Sequence, residues 1–237
     1  MTSQHESVIV TGSSRGIGRA CCDTLAERGI SCVSLSRTRP KHLPDTETHY
    51  CVDLSDLRST ATVLAKLLRE HSVSALICNA GRGDIGSLEN FSVDQINDSI
   101  TLNLISPLII SRLCAPAFRA RDRSNIVFIG STSAVAGARY GSVYSAAKFG
   151  LRGIAQSLHY ELAGANCHVG IVNPGMVRTG FFETLDFEPG PEQAHALQAE
   201  QVADAVMSLL LAPDNALISE ILIQPPHHVV RKKSAKK

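Results

Sequence analysis

The chain has 237 residues, of which 44% are hydrophobic and 19% charged, with a formal net charge of +1; that balance supports a sizeable buried core and excludes disordered and fibrous classes. The tail residues Arg231, Lys232, Lys233, Lys236 and Lys237 carry five positive charges, so +1 less +5 leaves −4 on residues 1–230, which argues against a nucleic-acid binder. No apolar run approaches the roughly 20 residues of a membrane helix, and the start MTSQHES lacks a signal-peptide pattern, so the expectation is a cytoplasmic protein with no membrane partner.

In chain order, Ser7–Thr11 is a β-branched run that stops at a glycine, and residues 16–28 place Ile17, Cys21 and Leu25 at helical spacing. The pattern predicts strands at 32–36, 50–52, 75–78, 125–129, 168–172 and 217–223 after the first, and helices at 56–70, 92–118, 142–162 and 200–211. Apolar strands alternating with helices imply α/β architecture: a single-domain, doubly wound, seven-stranded parallel sheet with helices on both faces. One domain is expected over residues 1–230, with 231–237 as a basic, frayed tail. Ser92 and Gln95 read as a capping box, Gly29 as a helix-ending residue, and Pro107 as a kink in the long helix. The seven cysteines show no C-x-x-C spacing and read as reduced, mostly core, residues. His227 and His228 lack a third ligand, so no metal is expected.

Thr11-Gly-Ser-Ser-Arg-Gly-Ile-Gly18 follows the first strand and opens the first helix. Missing side chains at Gly12, Gly16 and Gly18 would let the backbone approach a pyrophosphate at the helix N-terminus. The second strand ends on Ser36 and Arg37, where an acid commonly holds the ribose hydroxyls of NAD. Arg37 and Arg15 suit a 2′-phosphate instead, hence NADP(H). Asp53 is suited either to the adenine amino group or to capping the next helix.

Tyr144 and Lys148 are four residues apart on one predicted helix and share a face. Together with TGSSRGIG (11–18), the Asp53 turn, NAG (79–81), Asn103, Ser131 and NPGMVRT (173–179), they make residues 7–223 resemble the short-chain dehydrogenase/reductase family. The resemblance implies a Rossmann fold, a homo-oligomer (dimer or tetramer) and catalytic positions at Asn103, Ser131, Tyr144 and Lys148. It assigns cofactor contacts to Gly12, Ser14, Arg15, Gly16, Ile17, Gly18, Arg37, Asp53 and Leu54, to Asn79, Ala80 and Gly81, to Tyr144 and Lys148, and to Pro174, Gly175, Val177 and Thr179. Ser133 stands as the rival of Ser131.

The chemistry such a set serves is hydride transfer between NADP(H) and a small-molecule carbonyl or alcohol. A ketone that accepts hydride becomes an alkoxide and needs a proton donor at hydrogen-bond distance. Tyrosine titrates near pKa 10 in water, and a neighbouring ammonium favours its phenolate. Ser131 would steady the developing charge. The alternatives are reduction of a 3-oxoacyl thioester on an acyl carrier protein, and a non-catalytic regulator that keeps the cofactor fold. Substrate choice is assigned to segments 82–91, 137–143 and 180–195, the last as a lid.

Overall fold

Alternation along the strands sorts the apolar side chains into two layers, and the helices cover each. The computed structural model describes residues 6–213 and 215–233. In chain order it has β1 (Ser7–Thr11), α1 (Gly16–Glu27), β2 (Ser31–Ser36), β3 (Glu47–Cys51), α2 (Leu57–Glu70), β4 (Val73–Cys78), α3 (Val93–Ile100) and α4 (Ser106–Arg119). Then follow β5 (Ser124–Ile129), α5 (Ser142–Leu162), β6 (Cys167–Pro174), β7 (Phe187–Pro189), α6 (Ala199–Leu210), β8 (Glu220–Ile223) and β9 (Val230–Lys232). Seven strands form one parallel sheet in the order β3-β2-β1-β4-β5-β6-β8. Val8, Val10, Ile77 and Val172 face α1 and α6, while Ile9, Leu76, Phe128 and Ile171 face α2, α4 and α5. Strand order reverses between β1 and β4, and a crevice opens there at the strands' carboxyl ends.

Local signals in the sequence appear as expected. Gln95 N–H donates to Ser92 Oγ at 3.1 Å and Ser92 N–H to Gln95 Oε1 at 2.8 Å, completing the capping box. Gly29 takes φ +69°, the left-handed conformation that ends a helix cheaply when no Cβ is present. The cap of α2 is Asp56, which accepts from the backbone N–H groups of Arg58 and Ser59, so Asp53 is released from that role.

Three features differ from the sequence reading. Residues 93–119 form one helical run that is long and apolar enough to cross a membrane by length and composition. Ile110, Cys114 and Phe118 in this run are buried against the sheet, whereas Ile105 and Leu108 stay exposed. The run is interrupted by a π-helical turn at Thr101–Ile105 just before Pro107, so the expected kink takes the form of one wide turn. The third difference concerns the basic tail, expected to be frayed from 231. Residues 230–232 form β9, paired antiparallel with β7, because Arg231 finds Glu188 and Lys233 finds backbone carbonyls on the lid. Residues 234–237 of that tail lie outside the described residues.

The first helix is tied to the edge of the sheet by a bidentate ion pair. Arg19 donates to Glu47 Oε1 at 3.1 Å and to Oε2 at 2.5 Å, and the Glu47 side chain is 1% exposed. Removing one member of a buried pair leaves the other charge uncompensated. Glu47→Ala is therefore expected to lower folding stability by about 3 kcal/mol, measured as a shifted midpoint in urea unfolding.

Candidate active site

The ends of β1 and β4 are stitched together by one threonine and one asparagine. Thr11 Oγ1 accepts from the N–H groups of Asn79 and Ala80 at 2.9 and 3.0 Å, and Asn79 Nδ2 donates to the carbonyls of Thr11 and Gly12 at 3.0 and 3.1 Å. The glycine loop packs directly on this seam. A Cβ on Gly12 would lie 2.8 Å from Ala80 Cα, and one on Gly18 would lie 2.3 Å from the Gly12 carbonyl oxygen. Gly12 and Gly16 also take φ of +69° and +59°, so their lack of side chain is a steric requirement. Asn79 spends its amide on the seam. Thr11, absent from the predicted contacts, is the hinge of the arrangement.

Asn103 sits in the π-helical turn and clamps the loop that leaves β4. Its Nδ2 donates to the carbonyls of Arg82 at 3.2 Å and Ser99 at 3.0 Å, and its Oδ1 accepts from Arg82 N–H at 3.2 Å. Pro107 lies four residues on and has no N–H, so the Asn103 backbone carbonyl has no regular helical donor.

Ser131, Tyr144 and Lys148 meet on the floor of the crevice. Tyr144 and Lys148 are 7% and 4% exposed, and Lys148 Nζ donates to the Ile129 carbonyl at 2.8 Å. Ile129 ends β5, and Ser131 follows it by two residues. The Ser131 hydroxyl faces the Tyr144 phenol, while Ser133 offers its backbone N–H to Ser131 Oγ at 3.0 Å. Ser131 is thus the serine whose hydroxyl bears on the phenol, and Ser133 meets it through its backbone.

Burial sets the proton affinities here. It pushes the Tyr144 phenol up to about 12, with the Ser131 hydroxyl working in the opposite direction. It pushes the Lys148 ammonium down to about 8. The expected lowering of the phenol by the lysine is not met: Nζ is turned to Ile129 and lies 5.7 Å from the ring centroid. Desolvation disfavours phenolate and ammonium alike.

A relay that starts at the buried Asn173 supports the serine from behind. Asn173 Oδ1 accepts from Ser131 N–H at 3.2 Å, and Asn173 Nδ2 donates to Glu220 Oε1 at 2.6 Å. Arg152 of α5 grips Glu220 through three contacts of 2.9 to 3.1 Å. Neither Glu220 nor Arg152 stands out in the sequence. The signal was faint: an acid inside the otherwise apolar strand ILI.

At the far end of the crevice, Arg37 lines the wall together with Thr38, Arg39 and Lys41. The run RTRPK displays these cations, although only Arg37 was singled out from the sequence. Arg15 also lines the cleft, where its Nη1 meets Glu183 Oε2 at 2.5 Å in an exposed pair. Asp53 accepts from Ser55 N–H at 2.9 Å and Ser55 Oγ at 2.5 Å, and these bonds hold its carboxyl below the usual range. Thr179 Cβ stands 3.2 Å from where a Cβ on Gly16 would be, and Gly175 N–H reaches the Ile223 carbonyl at 2.8 Å. Ser14, Ile17, Leu54, Gly81, Pro174 and Val177 also line the cleft, whose volume is about 1980 Å³. Gly18, packed beneath the loop, does not. A polar groove of about 290 Å³ near Asp45 and His71, at the opposite ends of the strands, holds none of this set.

The segment after Thr179 closes over the crevice. Phe181 rests edge-on against Tyr144 with centroids 5.8 Å apart, and a Cβ on Gly83 would lie 2.4 Å from its ring. Phe182, Leu185 and Phe187 continue the same wall. The predicted lid aromatics thus serve both packing and pocket.

The Lys148 value carries a testable sign. The folded protein releases this proton near pH 8 and the unfolded chain near 10.5, so between those values the unfolded state binds more protons and wild-type stability gains with rising pH. Measured by urea unfolding from pH 8 to 10, Lys148→Met should lose on the order of 2 kcal/mol of stability relative to wild type.

Comparisons with known proteins bear on the family and the fold. The family model described as short chain dehydrogenase matches residues 6–188. A 3-oxoacyl-(acyl-carrier-protein) reductase of Escherichia coli is 31% identical over 192 residues, covering 78% of this chain and 79% of that protein. An uncharacterized oxidoreductase of Staphylococcus epidermidis is 27% identical over 230 residues, covering 94% and 98%. Among solved structures, a metagenomic short-chain oxidoreductase in complex with NADP aligns with a TM-score of 0.80 at 29% identity, covering 94% of this chain and 98% of that one. The aldohexose dehydrogenase of Thermoplasma acidophilum shares the fold with a TM-score of 0.83 at 21% identity over 94% of each chain. The matched profile spans most of the chain, through the glycine seam, Tyr144 and Lys148, and the protein belongs to the short-chain dehydrogenase family of oxidoreductases.

Proposed function

We propose that the protein is an NADP(H)-dependent carbonyl reductase, equally an alcohol dehydrogenase in reverse, with Tyr144 as the acid and base. The observation that carries this reading is the buried convergence of Ser131, Tyr144 and Lys148 at one end of a cleft whose other end is lined by Arg37, Arg39 and Lys41. The close-packed glycine loop fits a dinucleotide: Gly12 and Gly16 offer bare backbone at the N-terminus of α1, where a pyrophosphate is stabilised. β2 ends on Ser36 and Arg37 with no acid, which favours a phosphorylated ribose. Thr179 and Gly175 would orient the nicotinamide, which when bound supplies or accepts the hydride.

In the reducing direction the chain's own groups handle the proton. Ser131 donates a hydrogen bond to the substrate oxygen and steadies the charge that develops there. Tyr144 holds its proton firmly in the buried site, and gives it to an alkoxide that binds a proton more tightly still. Lys148 keeps a positive charge under the phenol and offers a donor to the ribose hydroxyls. Asn103, held in the π-helical turn beside the loop after β4, would support a water that carries the proton onward. A second reading is reduction of an acyl-carrier thioester, favoured by the relative in Escherichia coli and by the basic strand at the cleft mouth. The apolar side chains left exposed on the helical layer, Ile105, Leu108, Phe149 and Tyr160, support a homo-oligomer.

Tyr144→Phe keeps the ring and removes the proton, so turnover of a ketone panel should fall about a hundredfold to ten-thousandfold while NADPH binding, followed by fluorescence, persists. Arg37→Asp should weaken NADPH far more than NADH in the same titration; equal losses would overturn the assignment of the phosphate site.

A further inference from the structure

The lid is strapped by the chain's own C-terminal strand. β9 lies along β7 in antiparallel register, with Lys232 opposite Phe187, Arg231 opposite Glu188 and Val230 opposite Pro189. Alternate residues of a strand face opposite ways, and here the division is chemical. Arg231 bonds the Glu188 carboxylate on one face, whereas His228, Val230 and Lys232 line the cleft on the other. Further bonds fix the strap: Gly190 N–H to the Val229 carbonyl at 2.9 Å, Lys233 N–H to the Asp186 carbonyl at 2.7 Å, and Lys233 Nζ to the Phe182 carbonyl.

The inner wall runs back to the catalytic floor through aromatic rings. Phe187 meets Phe182 at 5.8 Å, Phe182 meets Phe181 at 5.3 Å, and Phe181 meets Tyr144 at 5.8 Å between centroids. An apolar surface therefore connects the phenol with the strand that carries Lys232. Charge on this outer half is unequal. Arg82 is matched by Asp84 at 2.9 Å and Arg15 by Glu183. Arg139 stacks on Tyr140, 4.8 Å from its centroid, and donates to its hydroxyl at 3.0 Å. Among the described residues no carboxylate pairs with Arg139 or Lys232. Asp186 is the acid on this wall; set against it, Arg139 and Lys232 leave one positive charge in excess.

We propose that β9 is a wall of the substrate pocket and that Lys232, in a cleft whose outer half also carries Arg139, selects a substrate bearing an anionic group, a carboxylate or a phosphate monoester, at the far end of an apolar chain from its reacting carbonyl. The carbonyl end of this proposal rests on the oxidoreductase reading above; the anionic end rests on the strap and its charges. Carbonyl at Tyr144, chain along Phe181, Phe182 and Phe187, and anion at Lys232 fit one continuous surface.

The test is calorimetric binding of three probes: a medium-chain oxo acid with its ketone remote from the carboxylate, the matching oxoalkyl phosphate, and the methyl ester of the acid. Wild type should bind at least one anion about fivefold more tightly than the ester, the scale of an exposed ion pair, and the tighter anion names the source. That preference should shrink as salt rises. Lys232→Glu, a change at an exposed side chain, should abolish or reverse the preference and leave ester binding as it was. Equal binding of all three probes by wild type, or an unchanged preference in Lys232→Glu, overturns the proposal. NADPH oxidation is read separately: an intact anion preference without turnover counts against the oxidoreductase reading and leaves the anion site standing.

Discussion

An ammonium group in the interior of the protein is held by a single backbone carbonyl, and much of the site's geometry follows from that contact. Lys148 can reach the Ile129 carbonyl only because α5 lies against the end of β5. That placement sets the helix phase, and one turn back along the same face it brings Tyr144 over the crevice. Ser131, two residues beyond Ile129, is then beside the phenol without any further device. The cost is electrostatic: burial weakens the ammonium and the phenolate together. A protein that tolerates such a lysine keeps it where a charge is useful.

Order around the floor of the cleft is shared between neighbouring layers. The Asn173 amide links the serine loop to Glu220 on β8, and Arg152 returns that link to α5, the helix that carries the tyrosine. Ser131 and Tyr144 are thus referred to each other twice, once directly and once through the sheet edge. On the opposite side Asn103 holds the loop after β4. Low exposure of these polar groups is compatible with stability because each finds partners.

The parallel core was legible in the sequence because its strands are runs such as SVIVT and SNIVFI, long enough in apolar residues to read as buried on both faces. β3 reads short because its sequence ETHYC alternates at the sheet's edge, and the buried Glu47 looks polar until Arg19 is seen beside it. Spacing showed only that Tyr144 and Lys148 share a helix face, and the motifs around them singled the pair out. The pairing of Arg15 with Glu183 was not legible, since nothing local says that a lid glutamate 168 positions away will meet it. The β7–β9 ribbon was invisible for the same reason: its three-residue strands, one ending in Pro189, have no propensity of their own and exist through long-range contacts. Local pattern specifies the layers, whereas the pairings that shape the cleft are made at a distance.

The π-helical turn at Thr101–Ile105 has a geometric consequence for the whole run 93–119. A wide turn accommodates one extra residue, and one residue of an α-helix is worth about 100° of rotation. The two halves of the run are therefore out of phase, so that the turn itself aims Asn103 at the loop after β4 while the rear half aims Ile110, Cys114 and Phe118 at the sheet. Shortening the turn by a single residue would restore an ordinary helix and swing one of those faces by a quarter turn or more. This stretch is accordingly a place where length, more than composition, is under constraint: many side chains could replace Thr101 or Ile105, but the number of residues between Ser99 and Pro107 sets two independent faces of one rod.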